Sequence, residues 1–251
     1  MNLDIGKAFT FITDDQKWVA KLAIGGGLAI AWVLAFFTIV GWIPIGLILT
    51  GYLVQLARNV IMGSPTPLPE WEHWGERMID GFKAWLIAFV YSLPATIIAA
   101  AFSFPAILSS IRDSARGVNS SGATAAATGL SYGGSCLAWV VGIIVGLVVP
   151  IAIGRYAATS NFGEAFQFGA IFNTLRQHFV TYLIITLLGG IVLSIITGLG
   201  FIAICIGAGF TWFYSQLVLY HLYGQAQRQA QGEFQPGYGQ QQPMYGEQRP
   251  F

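Results

Sequence analysis

The sequence predicts an all-α integral membrane protein of about six transmembrane helices, arranged as three hairpins with amphipathic interfacial helices on the cytoplasmic side. Three observations carry this. Of 251 residues, 55% are hydrophobic and only 9% are charged, against roughly 25% charged in an ordinary soluble domain. Long stretches carry no charge at all, the first running from Leu22 to Val54. The mean hydropathy is +0.64, and Phe 18, Trp 8 and Gly 31 show the joint aromatic and glycine enrichment of polytopic membrane proteins.

The amino-terminal stretch before the first uncharged run has acids at Asp4, Asp14 and Asp15 and no basic region followed by an apolar core, so a cleavable signal peptide is not expected. As one helix, Leu22–Val54 would reach about 50 Å, well past a hydrocarbon core of roughly 30 Å. The GWIPIG segment at Gly41–Gly46 supplies Gly and Pro in mid-run and predicts the turn of a hairpin with spans 18–40 and 43–62. Two further uncharged runs predict spans 84–110, which contains Pro94 and Pro105, and 134–155, which contains Gly142-xxx-Gly146. The last run, Phe179–Tyr220, is again too long for one helix and divides at Gly198–Gly200 into spans 179–198 and 201–221. A four-span alternative, with the two long runs as single tilted helices, leaves long apolar overhangs.

Ten of the twelve Lys and Arg residues then share one face, with Arg112 and Arg116 on the other. Positive loops stay cytoplasmic, which places both termini there in a prokaryotic plasma membrane. A net charge of +1 supplies no field for nucleic acid, and none is expected as a partner.

Between the second and third spans, Trp71, Trp74, Met78, Phe82 and Trp85 recur at helical spacing opposite Glu70, Glu72, His73, Glu76, Arg77 and Asp80. That pattern predicts an amphipathic helix lying in the interface, its aromatic stripe (Trp71, Trp74, Phe82, Trp85) offering a surface to the bundle or to a partner. DIGKAFTFI at Asp4–Ile12 and NFGEAFQFGAIF at Asn161–Phe172 share a Gly-x-Ala-Phe element, and GYLVQLARNVIMG and GFTWFYSQLVLYHLYG follow as similar exits. Residues 1–62 and 158–224 therefore read as a degenerate tandem repeat within a polytopic unit of residues 1–224. The segment from Arg112 to Ser135, rich in Gly, Ala, Ser and Thr, predicts a weakly ordered outer loop, with a sequon at Asn119-Ser120-Ser121. Residues 225–251, a Gln, Gly, Pro and Tyr mixture, predict a disordered tail.

The segment GYLVQLARNVIMG, the Pro69–Trp71 and Trp74 landmarks, the DGFK element at Asp80–Lys83, RYAATSNFGEAFQFGAIF and HLYGQA together resemble the uncharacterised prokaryotic membrane-protein family called domain of unknown function 4013. The resemblance covers most of residues 1–226. It implies a polytopic membrane protein, and it brings no activity and no catalytic residues.

Motifs for chemistry are sparse. Cys136 and Cys205 lie apart without metal-ligand spacing, and His73, His178 and His221 are isolated. No Walker, GxSxG or strand-linked GxGxxG sequence occurs. No catalytic residue, metal or cofactor is expected, and the protein does not read as an enzyme. The polar residues near the span ends are Gln55, Arg58, Gln216 and His221, which predict contacts between helices and, for Arg58, a side chain reaching to the headgroups. The functional expectation is a non-enzymatic scaffold or accessory protein acting through the lipid bilayer, a membrane-protein partner or a second copy of itself. The alternative is a small permease or carrier for an uncharged or lipidic solute.

Overall fold

The computed structural model describes residues 3–117, 121–202 and 206–234. The described chain is all helical, with 90% helix and no strand among the described residues. After α1 (Ile5–Thr10) and a 3-10 turn come α2 (Trp18–Leu34), α3 (Ile39–Met62), α4 (Trp74–Arg116) and α5 (Ser121–Thr159). A second short turn leads to α6 (Phe168–Gln177), α7 (Phe179–Leu187), a π-helical turn at Leu188–Val192, α8 (Leu193–Ile202) and α9 (Ile206–Phe234).

Four stretches are long and apolar enough to cross a bilayer: Gly41–Met62, Trp74–Arg116, Ala125–Thr159 and Phe179–Gly200. The pair Ile5–Asp14 and Trp18–Leu34, bent by 105°, adds a fifth. The six expected spans thus meet four to five such stretches. α2 by itself has 17 residues, and α9 interrupts its apolar run with Thr211, Ser215, Gln216 and His221.

The first break differs from the expected turn. Gly41–Gly46 lies inside α3, and the chain turns instead at Ala35–Thr38, where Thr38 is extended at φ −124° and ψ 105°. Pro44 is the sixth residue of α3, so its missing N–H removes one helical hydrogen bond, to the Val40 carbonyl, without ending the helix.

α3 is the central helix, burying Leu49, Tyr52, Leu53, Val54, Leu56 and Ala57. α4 crosses it at two glycines. A Cβ on Gly51 would run into the Arg77 carbonyl, and one on Gly81 into the Leu47 carbonyl, so only glycine permits this approach. α9 packs on α2 in the same manner, with Gly25 and Gly26 receiving the rings of Phe213 and Phe210.

α4 is the main departure from expectation. The aromatic stripe does not belong to a separate interfacial helix. Trp71 precedes the helix, and from Trp74 the chain runs uninterrupted for 43 residues, through Pro94 and Pro105. Its orientation is also inverted: Arg77, Gly81, Ala84, Ile87 and Tyr91 face the protein, whereas Trp74 and Phe82 are exposed. Of the charged residues opposite the stripe, Arg77 is buried and Asp80 half-buried, whereas Glu72, His73 and Glu76 are exposed.

The expected outer loop is largely helical too. α5 begins at Ser121, and its small residues serve α4: Gly134 receives the side chain of Phe102, and the Ser131 hydroxyl donates to the Phe102 carbonyl at 3.2 Å. The sequon falls partly outside the described residues. Finally, α9 continues to Phe234, ten residues into the stretch expected as tail, and buries Ala226, Gln227 and Ala230. Residues 235–251 lie outside the described residues.

Candidate functional site

The Gly63–His73 connection explains where the buried charges go. Gly63, at φ +78°, ends α3, and Pro65, Pro67 and Pro69 remove the N–H groups with which the strap could continue a helix or pair with a neighbour. Its carbonyls still need donors, since buried backbone oxygens are almost always paired. Side chains from three helices supply them. Asn59 Nδ2 donates to Pro67 O at 2.9 Å, Lys21 Nζ to Leu68 O at 3.0 Å and the Tyr52 hydroxyl to Pro69 O at 2.9 Å. Arg77 donates to Glu70 O through Nη2 and to Glu72 O through Nε at 2.7 Å. In the reverse direction, Trp71 Nε1 donates to Lys21 O at 3.0 Å, and its ring stacks on Tyr52 with centroids 4.0 Å apart.

Lys21 and Arg77 are 4% and 8% exposed. Burying such cations is tolerated only with pairing. Lys21 is paired with Asp15 at 2.6 Å and Glu70 at 3.0 Å, and the Arg77 guanidinium lies over the Tyr52 ring at 5.2 Å. Burial pushes the Asp15 carboxyl up, but the Lys21 ammonium and the Lys17 amide outweigh it and hold it below the ordinary carboxylate value. One Arg77 nitrogen, Nη1, is buried with no acceptor among the described residues.

Beside the strap, a second cluster joins α3, α4 and α5. Arg58 meets Asp80 at 3.3 Å, Gln55 Oε1 at 2.7 Å and the Ala157 carbonyl at 3.1 Å. Tyr156 donates its hydroxyl to the other Asp80 oxygen, and Lys83 lies 5.8 Å from the Tyr156 ring. Arg58 therefore does not reach out to headgroups, because its guanidinium is engaged inside the bundle. Gln55 bonds within α3, to Arg58 and to Asn59 at 3.0 Å, so it does not make the inter-helix contact expected of it.

The third cluster ties the amino terminus to the end of α9. Asp4 caps α1 by accepting from Lys7 N at 2.8 Å. The Gln225 amide clasps the Asp4 backbone, accepting from its N–H at 3.0 Å and donating to its carbonyl at 3.1 Å. His221 is buried, stacked on Phe11 with centroids 4.2 Å apart. A cavity of about 570 Å³ opens here, lined in part by Asp4, Lys7, Asp14, His221 and Arg228.

Of the residues expected at a site, Arg58 and Gln55 fall in the second cluster and His221 in the third. Gln216 lies half-buried on α9 and joins none of the three. Among the aromatics, Trp71 is built into the strap and Trp85 donates to Thr50 Oγ1 at 2.8 Å, while Trp74 and Phe82 face outward. Sequence reasoning missed Lys21, Tyr52, Asn59, Arg77, Asp80 and Tyr156. The signal for the first four was present in the alternating prolines, since a strap without N–H partners must borrow donors from elsewhere. Among the described residues, no three His, Cys, Asp or Glu side chains converge as metal ligands.

A family model described as a protein of unknown function, DUF4013, matches residues 33–206. Neither a curated protein nor a solved structure matches the chain.

Proposed function

Since the chain belongs to the DUF4013 family of proteins of unknown function, we propose that it is a non-enzymatic scaffold or accessory protein of a prokaryotic plasma membrane, acting through lipid or protein partners. The supporting observation is the inverted α4. A helix that turns Arg77 and Gly81 inward while exposing Trp74, Phe82, Phe89, Ile97 and Phe104 fits lipid on its outer face.

In this reading six spans form three antiparallel hairpins: α2 with α3, α4 with α5, and the α7–α8 unit with α9. The first and last lie within tandem copies 1–62 and 158–224. Alike burial in the two exits favours the repeat: Tyr52 and Leu56 in α3, and Phe213 and Leu217 in α9, are all enclosed. The three polar clusters lie at the end that holds Lys7, Lys17, Arg58, Arg155 and Arg228, which is the cytoplasmic face by the distribution of cations.

Partner-mediated action is favoured by how the ionised groups are used. Lys21, Arg58 and most of Arg77 hold backbone carbonyls or carboxylates of the chain itself, an arrangement that fixes the shape of a face. The test is crosslinking and pull-down from native membranes with a tag beyond Phe251, followed by mass spectrometry of proteins and lipids. A stoichiometric protein partner or specific lipid is the expected result. Solute flux through sealed vesicles containing the purified chain would overturn it in favour of the permease reading.

A further inference from the structure

We propose that the polar pocket beside the strap binds a small zwitterion, with an oxyanion on Arg77 and a primary ammonium on Glu72 and Glu76. The cavity is about 310 Å³, and Gln55, Arg58, Glu72, Glu76, Arg77 and Asp80 are among its lining residues. That volume suits an amino acid or a lipid headgroup.

The charges decide the ligand. Arg58 is engaged by Asp80 at 3.3 Å, and Glu70 by Lys21 at 3.0 Å. Arg77, Glu72 and Glu76 remain, one cation against two carboxylates that form no ion pair among the described residues. Arg77 lines this cavity, is 8% exposed and has Nη1 buried without an acceptor among the described residues, and a buried donor in that state gains from any oxygen that reaches it. A simple anion would meet both glutamates, and a simple cation would leave Nη1 unsatisfied. A molecule carrying both charges answers both demands, with charge-assisted hydrogen bonds at each end.

Two sources carry this chemistry: a free amino acid, and the phosphoethanolamine headgroup of a membrane lipid. The inference deepens the function proposed above and rests on this end being a bilayer face. The full chain is placed in nanodiscs of equal phosphatidylethanolamine and phosphatidylcholine, and retained lipid is read by native mass spectrometry. In phosphatidylcholine-only discs, L-alanine is titrated while tryptophan fluorescence is followed, since Trp71 and Trp74 are next in sequence to the lining residues Glu70, Glu72 and His73. A lipid source predicts about tenfold preference for phosphatidylethanolamine, whose ammonium keeps the N–H donors that trimethylation removes. A free amino acid predicts a saturable response to L-alanine.

Either signal should fall about tenfold in the Glu72→Gln/Glu76→Gln double variant, which alters exposed side chains and should stay monodisperse. Equal lipid retention together with no response to L-alanine would overturn the proposal, as would a preference that survives the double variant. The bilayer reading is scored separately, by thiol labelling of Ser64→Cys and Ser114→Cys in intact cells, so its failure is not mistaken for an empty pocket.

Discussion

At the scale of single residues, Arg77 concentrates the most consequence. Its side chain holds two strap carbonyls and lies on Tyr52. Replacing it with Leu leaves those oxygens without donors, and at about 1.5–3 kcal/mol for each hydrogen bond to a charged group, a loss of about 3–6 kcal/mol is expected. Thermal unfolding in detergent measures it. Tyr52→Phe removes only the bond to Pro69 and should cost about 1 kcal/mol, a difference between the two variants that a merely hydrophobic strap seat would not produce. Asp15 gives a pH signature. Its carboxyl titrates lower in the folded chain than in the unfolded one, so its contribution is present above the ordinary carboxylate value near 4 and is lost as pH falls through the lower folded value. The stability gap between wild type and Asp15→Asn should therefore be full at pH 6 and should close on acidification below about pH 4.

At the scale of elements, helix identity was legible and helix boundaries were not. Uncharged runs marked the apolar segments because chain in hydrocarbon must be both apolar and hydrogen-bonded to itself. The turn was misplaced because Gly and Pro in GWIPIG signal a break only when the surrounding contacts allow one, and near the start of α3 Pro44 could be absorbed. Ala35-Phe36-Phe37-Thr38, where the chain does turn, contains no turn chemistry at all. The aromatic stripe divides, with Trp71 and Trp85 bonded inside the protein and Trp74 and Phe82 exposed, because periodicity separates two faces of a helix without saying what covers each residue of a face. Residues 121–135 looked like loop because Gly, Ala and Ser are weak signals alone, yet beside Phe102 their small size is what makes them an interface. The candidate site was legible only through Arg58, Gln55 and His221, since Lys21 owes its burial to a strap 47 residues away and Arg77, though only five to seven residues from the carbonyls it holds, reads in the sequence as one more charge on a solvated face. Two element-level outcomes follow. Gly81→Val should prevent the α3–α4 crossing and abolish monodisperse protein on size-exclusion chromatography. Truncation after Ala226 should destabilise the chain by removing the buried Gln227 and Ala230, whereas truncation after Phe234 should leave the thermal midpoint within about a degree, a shift that corresponds to a few tenths of a kcal/mol.

At the scale of the whole molecule, buried polar groups gather around α3 and the start of α4, whereas further along α4 and α5 large apolar side chains are exposed, with Trp139 76% exposed and Ile97 and Phe104 both 62%. Helices of 43 and 39 residues reach about 64 and 58 Å, about twice a bilayer core of roughly 30 Å, so in the topology proposed above they tilt or project. The topology proposed above predicts that Ser114→Cys, in a background with Cys136 and Cys205 replaced by Ser, is labelled by an impermeant maleimide in intact cells and that Ser64→Cys is labelled only after permeabilisation. The reverse pattern would invert the molecule.

The strap also bears on the order in which the protein is made. Every donor that seats it, Lys21, Tyr52, Asn59 and Arg77, has left the ribosome before α4 is complete, while the glycine-lined groove of α2 waits for Phe210 and Phe213 of the last helix. Biogenesis is thereby divided into an early lock and a late closure. Nascent chains arrested soon after α4 should already shield Pro67–Trp71 from protease, long before the final helix arrives to seal the bundle.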